Sequence, residues 1–180
     1  TLYGPTGISG FIMKPEIKLP PVLFGGTGYD SANQNMPDSL PEKYEMGTCN
    51  IAGIAGLNAA LQWNQKIGVR NIFEHEQENR KKLLEILSQY DYITIVGDAP
   101  AQLYVGIVSC LFDGISSDIA GNLLSEHGVS VRTGLQCAPL AHKFLGTYPT
   151  GTIRFSIGYF TSEEDFNTLI NALDYIDQNI

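Results

Sequence analysis

The sequence predicts an α/β fold in which a small two-layer α/β domain follows a separate, helix-ended segment. Three observations carry this. From Tyr92 onward, short apolar runs alternate with helical periods, giving four strands with helices between them. Ahead of them, two long amphipathic patterns read as helices, Ile51 to about Ile67 and about Ile72 to Tyr90. At 180 residues and 43% hydrophobic content the chain can bury a core, yet its length falls between one and two domains. A boundary is therefore expected near Ile67, dividing residues 1–66 from residues 67–180.

In chain order, Gly4-Pro5 and Gly7 form a turn that feeds an expected strand, Ile8 to Met13. Lys14 to Tyr44 is rich in Pro, Gly, Asn and Asp and is expected to be a long loop with one short strand, Val22 to Phe24. The first helix presents Ile51, Ile54, Ala55, Leu57 and Leu61 as its apolar face, and Gly53 and Gly56 suit close packing. In the second, Ile72, Phe73, Leu83, Leu84 and Leu87 oppose a charged face that includes Arg80 and is expected to be solvated. Tyr92 to Val96 is a strand closed by Gly97-Asp98, and Leu103 to Phe112 is apolar enough for an interior strand. Ser116 or Ser117 caps a helix that runs to Glu126, with Gly128 as its left-handed stop. A third strand starts at Val129, Pro139 to Leu145 is a short helix, and Thr152 to Ile157 is a fourth strand. Thr161 and Glu164 form a capping box for a last helix with Phe166, Leu169, Ile170, Leu173 and Ile176 on one face.

Composition excludes several function classes. A formal net charge of −8 argues against nucleic acid or an anionic membrane as partner, since both require a basic surface. No apolar run reaches the roughly 18 residues that span a bilayer, and the start of the chain has no secretory signature. A cytoplasmic location follows as the expectation. Cys49, Cys110 and Cys137 are odd in number and widely spaced, which fits neither a disulfide framework nor a structural metal site.

The chemistry concentrates in Val129 to Pro139, V-S-V-R-T-G-L-Q-C-A-P. Arg132 and, after the Gly134 break, Cys137 are held close together, and a cationic neighbour favours the nucleophilic thiolate. An inert cysteine beside an arginine is the bland alternative. Arg154 stands among apolar residues on a strand, so its guanidinium must meet an anion or point out of the core: a carboxylate ligand is one reading and a structural ion pair the other. Gly47-Thr48, just ahead of a helix, offers N–H groups, a hydroxyl and the helix dipole to a phosphate, although threonine also caps ordinary helices. His142 is either a base for Cys137 or a structural histidine, and His75 and His127 have no chemical neighbour. Gly25-Gly26-Thr27-Gly28 has no helix after it and so fails the context of a dinucleotide fingerprint.

Four segments in this order and spacing, Leu2 to Gly7, Glu45 to Asn50, Arg132 to Pro139 and Gly151 to Ser156, resemble the cysteine desulfurases of the class V aminotransferase group. The R-T-G-x-x-C-A-P form is similar to the subgroup with a short cysteine loop, which includes selenocysteine lyases. The resemblance implies the C-terminal half of a fold type I enzyme: the end of the large cofactor domain over 1–66, then the small C-terminal domain over 67–180. It implies pyridoxal 5'-phosphate as cofactor, cysteine as substrate, a homodimer and a sulfur-acceptor protein. By matching position, it makes Cys137 the persulfide-forming nucleophile, Arg154 the binder of the substrate carboxylate and Arg132 an active-site arginine. Thr48, with Gly47, corresponds to the residue that reaches the cofactor phosphate across the dimer.

In that family the cofactor lysine stands directly, or within a residue, before the segment matching Thr1 to Pro5. The expectation is therefore a C-terminal half that is inactive alone, with the lysine on a preceding half if there is one. A selenocysteine lyase or another class V enzyme is the enzymatic alternative. A dimerising or sulfur-accepting module without catalysis is the other.

Overall fold

The computed structural model describes residues 2–97 and 104–179, and the chain forms two compact units, Thr1–Gly68 and Val69–Ile180. Thr1, Asp98 of the turn expected after the first of the four strands, and Leu103, the expected start of the next, lie outside the described residues.

The first unit is built on α1, Ile51–Ile67. Asn50 caps it: its Oδ1 accepts from the Gly53 N–H at 2.9 Å, and its Nδ2 donates to the Gly7 carbonyl at 3.2 Å. Residues 2–7 then run along the helix. Asn64 Nδ2 donates to the Leu2 carbonyl at 2.8 Å, and Tyr3 stands edge-on to Trp63 with ring centroids 5.3 Å apart. Gly56 faces Pro5 so closely that a Cβ there would lie 2.8 Å from the proline ring. The expected close packing at Gly53 and Gly56 is thus present, but the expected apolar face is not the buried one. Ile51, Ile54, Ala55 and Leu61 are exposed, because small residues and Asn64 make the contact with the 2–7 segment.

Neither Ile8–Met13 nor Val22–Phe24 is a strand. Phe11, Ile12, Val22, Leu23 and Phe24 are exposed. Apolar residues do not form a strand by themselves, since the backbone groups need a ladder partner, and the first unit has none among the described residues. The long loop is held instead by a 3₁₀ turn, Glu42–Tyr44, whose Tyr44 hydroxyl donates to the Leu19 carbonyl at 2.7 Å.

The second unit runs α2 (Val69–Leu87), β1 (Ile93–Val96), β2 (Ile107–Phe112), α3 (Ser117–Glu126), α4 (Pro139–Phe144), β3 (Ile153–Ser156) and α5 (Glu163–Asp177). The sheet is antiparallel in the order β1-β2-β3, so the most apolar strand is the central one, as expected. Cys110 pairs with Ile95 and with Ile153, and Val108 with Phe155. Strand side chains alternate in direction. One face therefore carries Val108, Cys110, Phe112, Ile153 and Phe155 into a core completed by residues of α2, α3 and α5. The other face carries Ser109, Leu111, Arg154 and Ser156.

Several expectations shift here. The strand expected from Val129 is reduced to one isolated bridge, Arg132 to Arg154, because the chain turns away at once through Thr133 and Gly134. Helix α3 has the expected ends, with the Ser116 hydroxyl accepting from Ile119 N–H and Gly128 at a φ of 83°. The capping box of α5 is Ser162 with Asp165 rather than Thr161 with Glu164. The Thr161 hydroxyl is already engaged by the Gly158 N–H at 3.0 Å. Arg80, expected in solvent, is buried, with its guanidinium 4.3 Å from the centre of the Tyr104 ring. It shares the i, i+3, i+7 stripe of buried Leu83 and Leu87, whereas Phe73 is exposed.

Leu173 is completely buried among these elements and Leu140 is 77% exposed. Replacing Leu173 by Ala should cost about 3 kcal/mol of unfolding free energy, and Leu140→Ala less than about 0.5 kcal/mol. Urea titration of both variants checks the contrast.

Candidate functional site

The second unit brings Arg132, Cys137 and Arg154 together. Arg132 and Arg154 exchange both backbone hydrogen bonds, N–H of 132 to O of 154 at 3.1 Å and N–H of 154 to O of 132 at 2.7 Å. Residues paired in this way project their side chains from the same face. Both arginine side chains thus leave the same face of the sheet. Neither arginine has an ion pair among the described residues. Arg154 is half-buried, and its Nε is buried without a hydrogen-bond partner in the described structure. A guanidinium in that state has a free donor with which it could bind a carboxylate or phosphate.

From Arg132 the chain makes a tight turn that returns Cys137 to it. Arg132 Nη2 donates to Cys137 Sγ at 3.3 Å, and Cys137 is exposed. Gln136 and Cys137 both have left-handed backbones, with φ of 46° and 65°, which non-glycine residues seldom adopt. The turn is braced on two sides. The Thr133 hydroxyl donates to Asp118 of α3 at 3.0 Å, and Gly121 of α3 leaves room for Thr133, since a Cβ there would stand 2.4 Å from its methyl group. On the other side, Thr152 N–H donates to the Gly134 carbonyl at 3.1 Å, and Gln136 Nε2 donates to the Thr152 carbonyl at 2.9 Å. A Cβ on Gly151 would fall 2.1 Å from the Gly134 carbonyl carbon, so this approach is open only to glycine.

His142 is not poised as a base. It is buried, and its Nδ1 lies 2.7 Å from the Thr147 hydroxyl, a structural pair that closes the end of α4. His127 caps α3 and stacks on Tyr175, with centroids 4.2 Å apart. Cys110 faces the core, where burial pushes its thiol up to about 12. Among the described residues no cluster of His, Cys, Asp and Glu could hold a metal ion, and no helix is long and apolar enough to cross a membrane.

Gly47 and Thr48 lie in the first unit, three and two residues before the Asn50 cap. Thr48 is exposed, and its hydroxyl makes no hydrogen bond among the described residues, so it can meet a phosphate oxygen. Gly47, at a φ of 79°, donates its N–H to the Gly26 carbonyl at 2.7 Å. It shapes the turn that presents Thr48, and its own donor is already engaged. Asn50, not Thr48, caps the helix.

Sequence reasoning singled out the three candidate side chains but not their support. Asp118, Gly121, Gln136 and Thr152 carry no local signal, because their roles arise from pairings 15 to 16 residues apart or from a close approach that only the folded chain shows. A strand-borne arginine flanked by Gly151 and Thr152 was the nearest hint.

The family model for class-V aminotransferases matches residues 2–169. A probable cysteine desulfurase of Xylella fastidiosa is 34% identical over 96% of this chain, which covers 41% of that protein. Among solved structures, the apo cysteine desulfurase of Thermococcus onnurineus superposes with a TM-score of 0.78 at 27% identity, over 89% of this chain and 40% of its own. A cysteine desulfurase of Escherichia coli in an S-sulfonic acid form does so with a TM-score of 0.73 at 26% identity, over 87% and 38%. The chain thus spans about two-fifths of the length of the relatives it matches.

The environments of the three thiols predict their labelling. With a disulfide reagent at pH 8, Cys49 and Cys137 should react rapidly and Cys110 only after denaturant is added. Counting released chromophore before and after denaturation checks this.

Proposed function

The chain belongs to the class-V aminotransferase family, and on that premise we propose that it is the C-terminal part of a pyridoxal 5'-phosphate-dependent cysteine desulfurase. The observation that carries this reading is the 3.3 Å contact from Arg132 to an exposed Cys137, beside an Arg154 whose buried Nε has no partner in the described structure. It is supported by the cysteine desulfurases among the relatives and solved structures. In this reading residues 1–66 are the end of the large cofactor domain and residues 67–180 the small domain.

Arg154 binds the carboxylate of substrate cysteine, for which its planar fork and unpaired Nε are suited. Thr48, on the turn shaped by Gly47, would hold a phosphate oxygen of the cofactor through its hydroxyl in a homodimer. When bound, pyridoxal phosphate supplies the electron sink that labilises bonds at the substrate's α-carbon. Arg132 positions the Cys137 sulfur through its Nη2, and that sulfur, as the nucleophile, attacks the substrate sulfur. The S–S bond forms as the substrate's carbon–sulfur bond breaks, and the bonding pair leaves with the carbon skeleton, which is protonated to alanine. Cysteine and the Cys137 thiol thereby become alanine and a Cys137 persulfide, with no external oxidant or reductant. The persulfide sulfur then passes to an acceptor protein. Three free thiols suit a reducing, cytoplasmic compartment.

Two variants of the full-length, cofactor-loaded protein test this. Cys137→Ser should lower alanine formation from cysteine at least about 10³-fold and leave no persulfide on the chain, while the cofactor's absorbance is unchanged. Turnover at the parent rate would remove Cys137 from the reaction. Arg154→Lys should raise KM for cysteine about tenfold or more, since lysine retains the charge and loses the fork. An unaltered KM would return Arg154 to a structural role.

A further inference from the structure

Gln136 is the residue in the cysteine turn whose side chain does most to hold it. Its Nε2 lies 2.9 Å from the Thr152 carbonyl, 3.2 Å from the Thr152 hydroxyl and 3.4 Å from the Arg132 carbonyl. Thr152 returns the contact, with its hydroxyl 3.4 Å from Gln136 Oε1. Thr152 is 1% exposed, so this amide closes against a fixed, buried wall. Its amide thus joins two parts of the site, the backbone of Arg132 and Thr152, which stands just ahead of β3 and two residues before Arg154.

The backbone gives a second reason to single out Gln136. Both Gln136 and Cys137 sit at positive φ. Such residues cost on the order of 1–2 kcal/mol each and persist only where their surroundings over-determine them. Glycine would adopt the conformation at position 136 without that cost. An amide-bearing residue at such a position is explained by what its side chain does. If only backbone shape mattered, glycine would serve better.

We propose that Gln136 is a positioning residue for the sulfur-accepting thiol: its side-chain amide latches the Cys137 turn to β3 and so keeps Sγ against the Arg132 guanidinium. This rests on the reading of Cys137 as the sulfur acceptor. The latch acts on the nucleophile and not on the carboxylate fork, since Arg154 keeps its own strand pairing with Ser109. Loss of the latch should therefore slow sulfur transfer and leave substrate binding intact. The Thr152 hydroxyl is secondary, because the shorter bond goes to the Thr152 main-chain carbonyl. Thr152→Val keeps that bond.

The test compares the full-length protein with Gln136→Gly, which relieves the backbone, and Gln136→Met, which keeps the length of the side chain without its N–H. Iodoacetamide labelling of Cys137 at pH 7 is read by mass spectrometry, with exposed Cys49 in the same molecule as internal reference. In both variants the Cys137 to Cys49 labelling ratio should fall about tenfold, the equivalent of a charge-assisted hydrogen bond. Thr152→Val should keep the parent ratio. The kcat for alanine formation should fall by a similar factor with KM for cysteine unchanged. A parent labelling ratio in Gln136→Gly overturns the latch, whatever the turnover shows. A reduced ratio with unchanged kcat overturns instead the assignment of Cys137 as sulfur acceptor.

Discussion

The pair of backbone hydrogen bonds between Arg132 and Arg154 is the constraint on which the site depends. It is a single bridge and not a strand, yet it does two things at once. It brings two guanidinium groups to the same sheet face, and it fixes the starting point of a turn that brings a thiol back to within 3.3 Å of one of them. Extending the pairing by more residues would carry Arg132 along a regular strand and leave no room for the turn. The site is built at the place where the sheet stops.

What holds the turn comes from both flanks. Helix α3 contributes Asp118 and the gap left by Gly121, and the approach to β3 contributes Gly151 and Thr152. Neither flank is itself reactive, and both are needed for positive φ values at Gln136 and Cys137 to persist. Reactivity in the second unit is thus divided. The alternation of β2 turns Cys110 into the core as an inert thiol, and only Cys137 stands in the open beside a cation.

Much of the second unit was legible from period and punctuation. The central place of β2 follows from its nearly unbroken apolar run, and the ends of α3 from Ser116 and Gly128. Misreadings arose where a residue's local signal was outvoted at a distance. Thr161 looks like a cap, but Gly158 claims its hydroxyl. Arg80 looks solvated, but it shares the helix stripe of Leu83 and Leu87 and lies over Tyr104. In the first unit, apolar stretches suggested strands that find no ladder partner among the described residues, and the packed face of α1 is marked by glycines and an asparagine while Ile51 and Ile54 stay exposed. The candidate trio was visible because Arg, Cys and Arg are unusual among their neighbours. The glutamine and glycines that support them are ordinary residues whose role depends on contacts made in three dimensions.

Arg154 also has a part to play before any ligand is bound. In the native register it lies opposite Ser109, while Ile153 and Phe155 face the core. Because strand side chains alternate, a slip of one residue between β3 and β2 would drive the guanidinium inward and expel both apolar neighbours. Burying that charge without a partner is among the costliest errors a sheet can make. Arg154 therefore also acts as a proofreader of assembly, disfavouring misaligned pairings of β3 with β2 whose hydrogen bonds would otherwise look equally satisfactory.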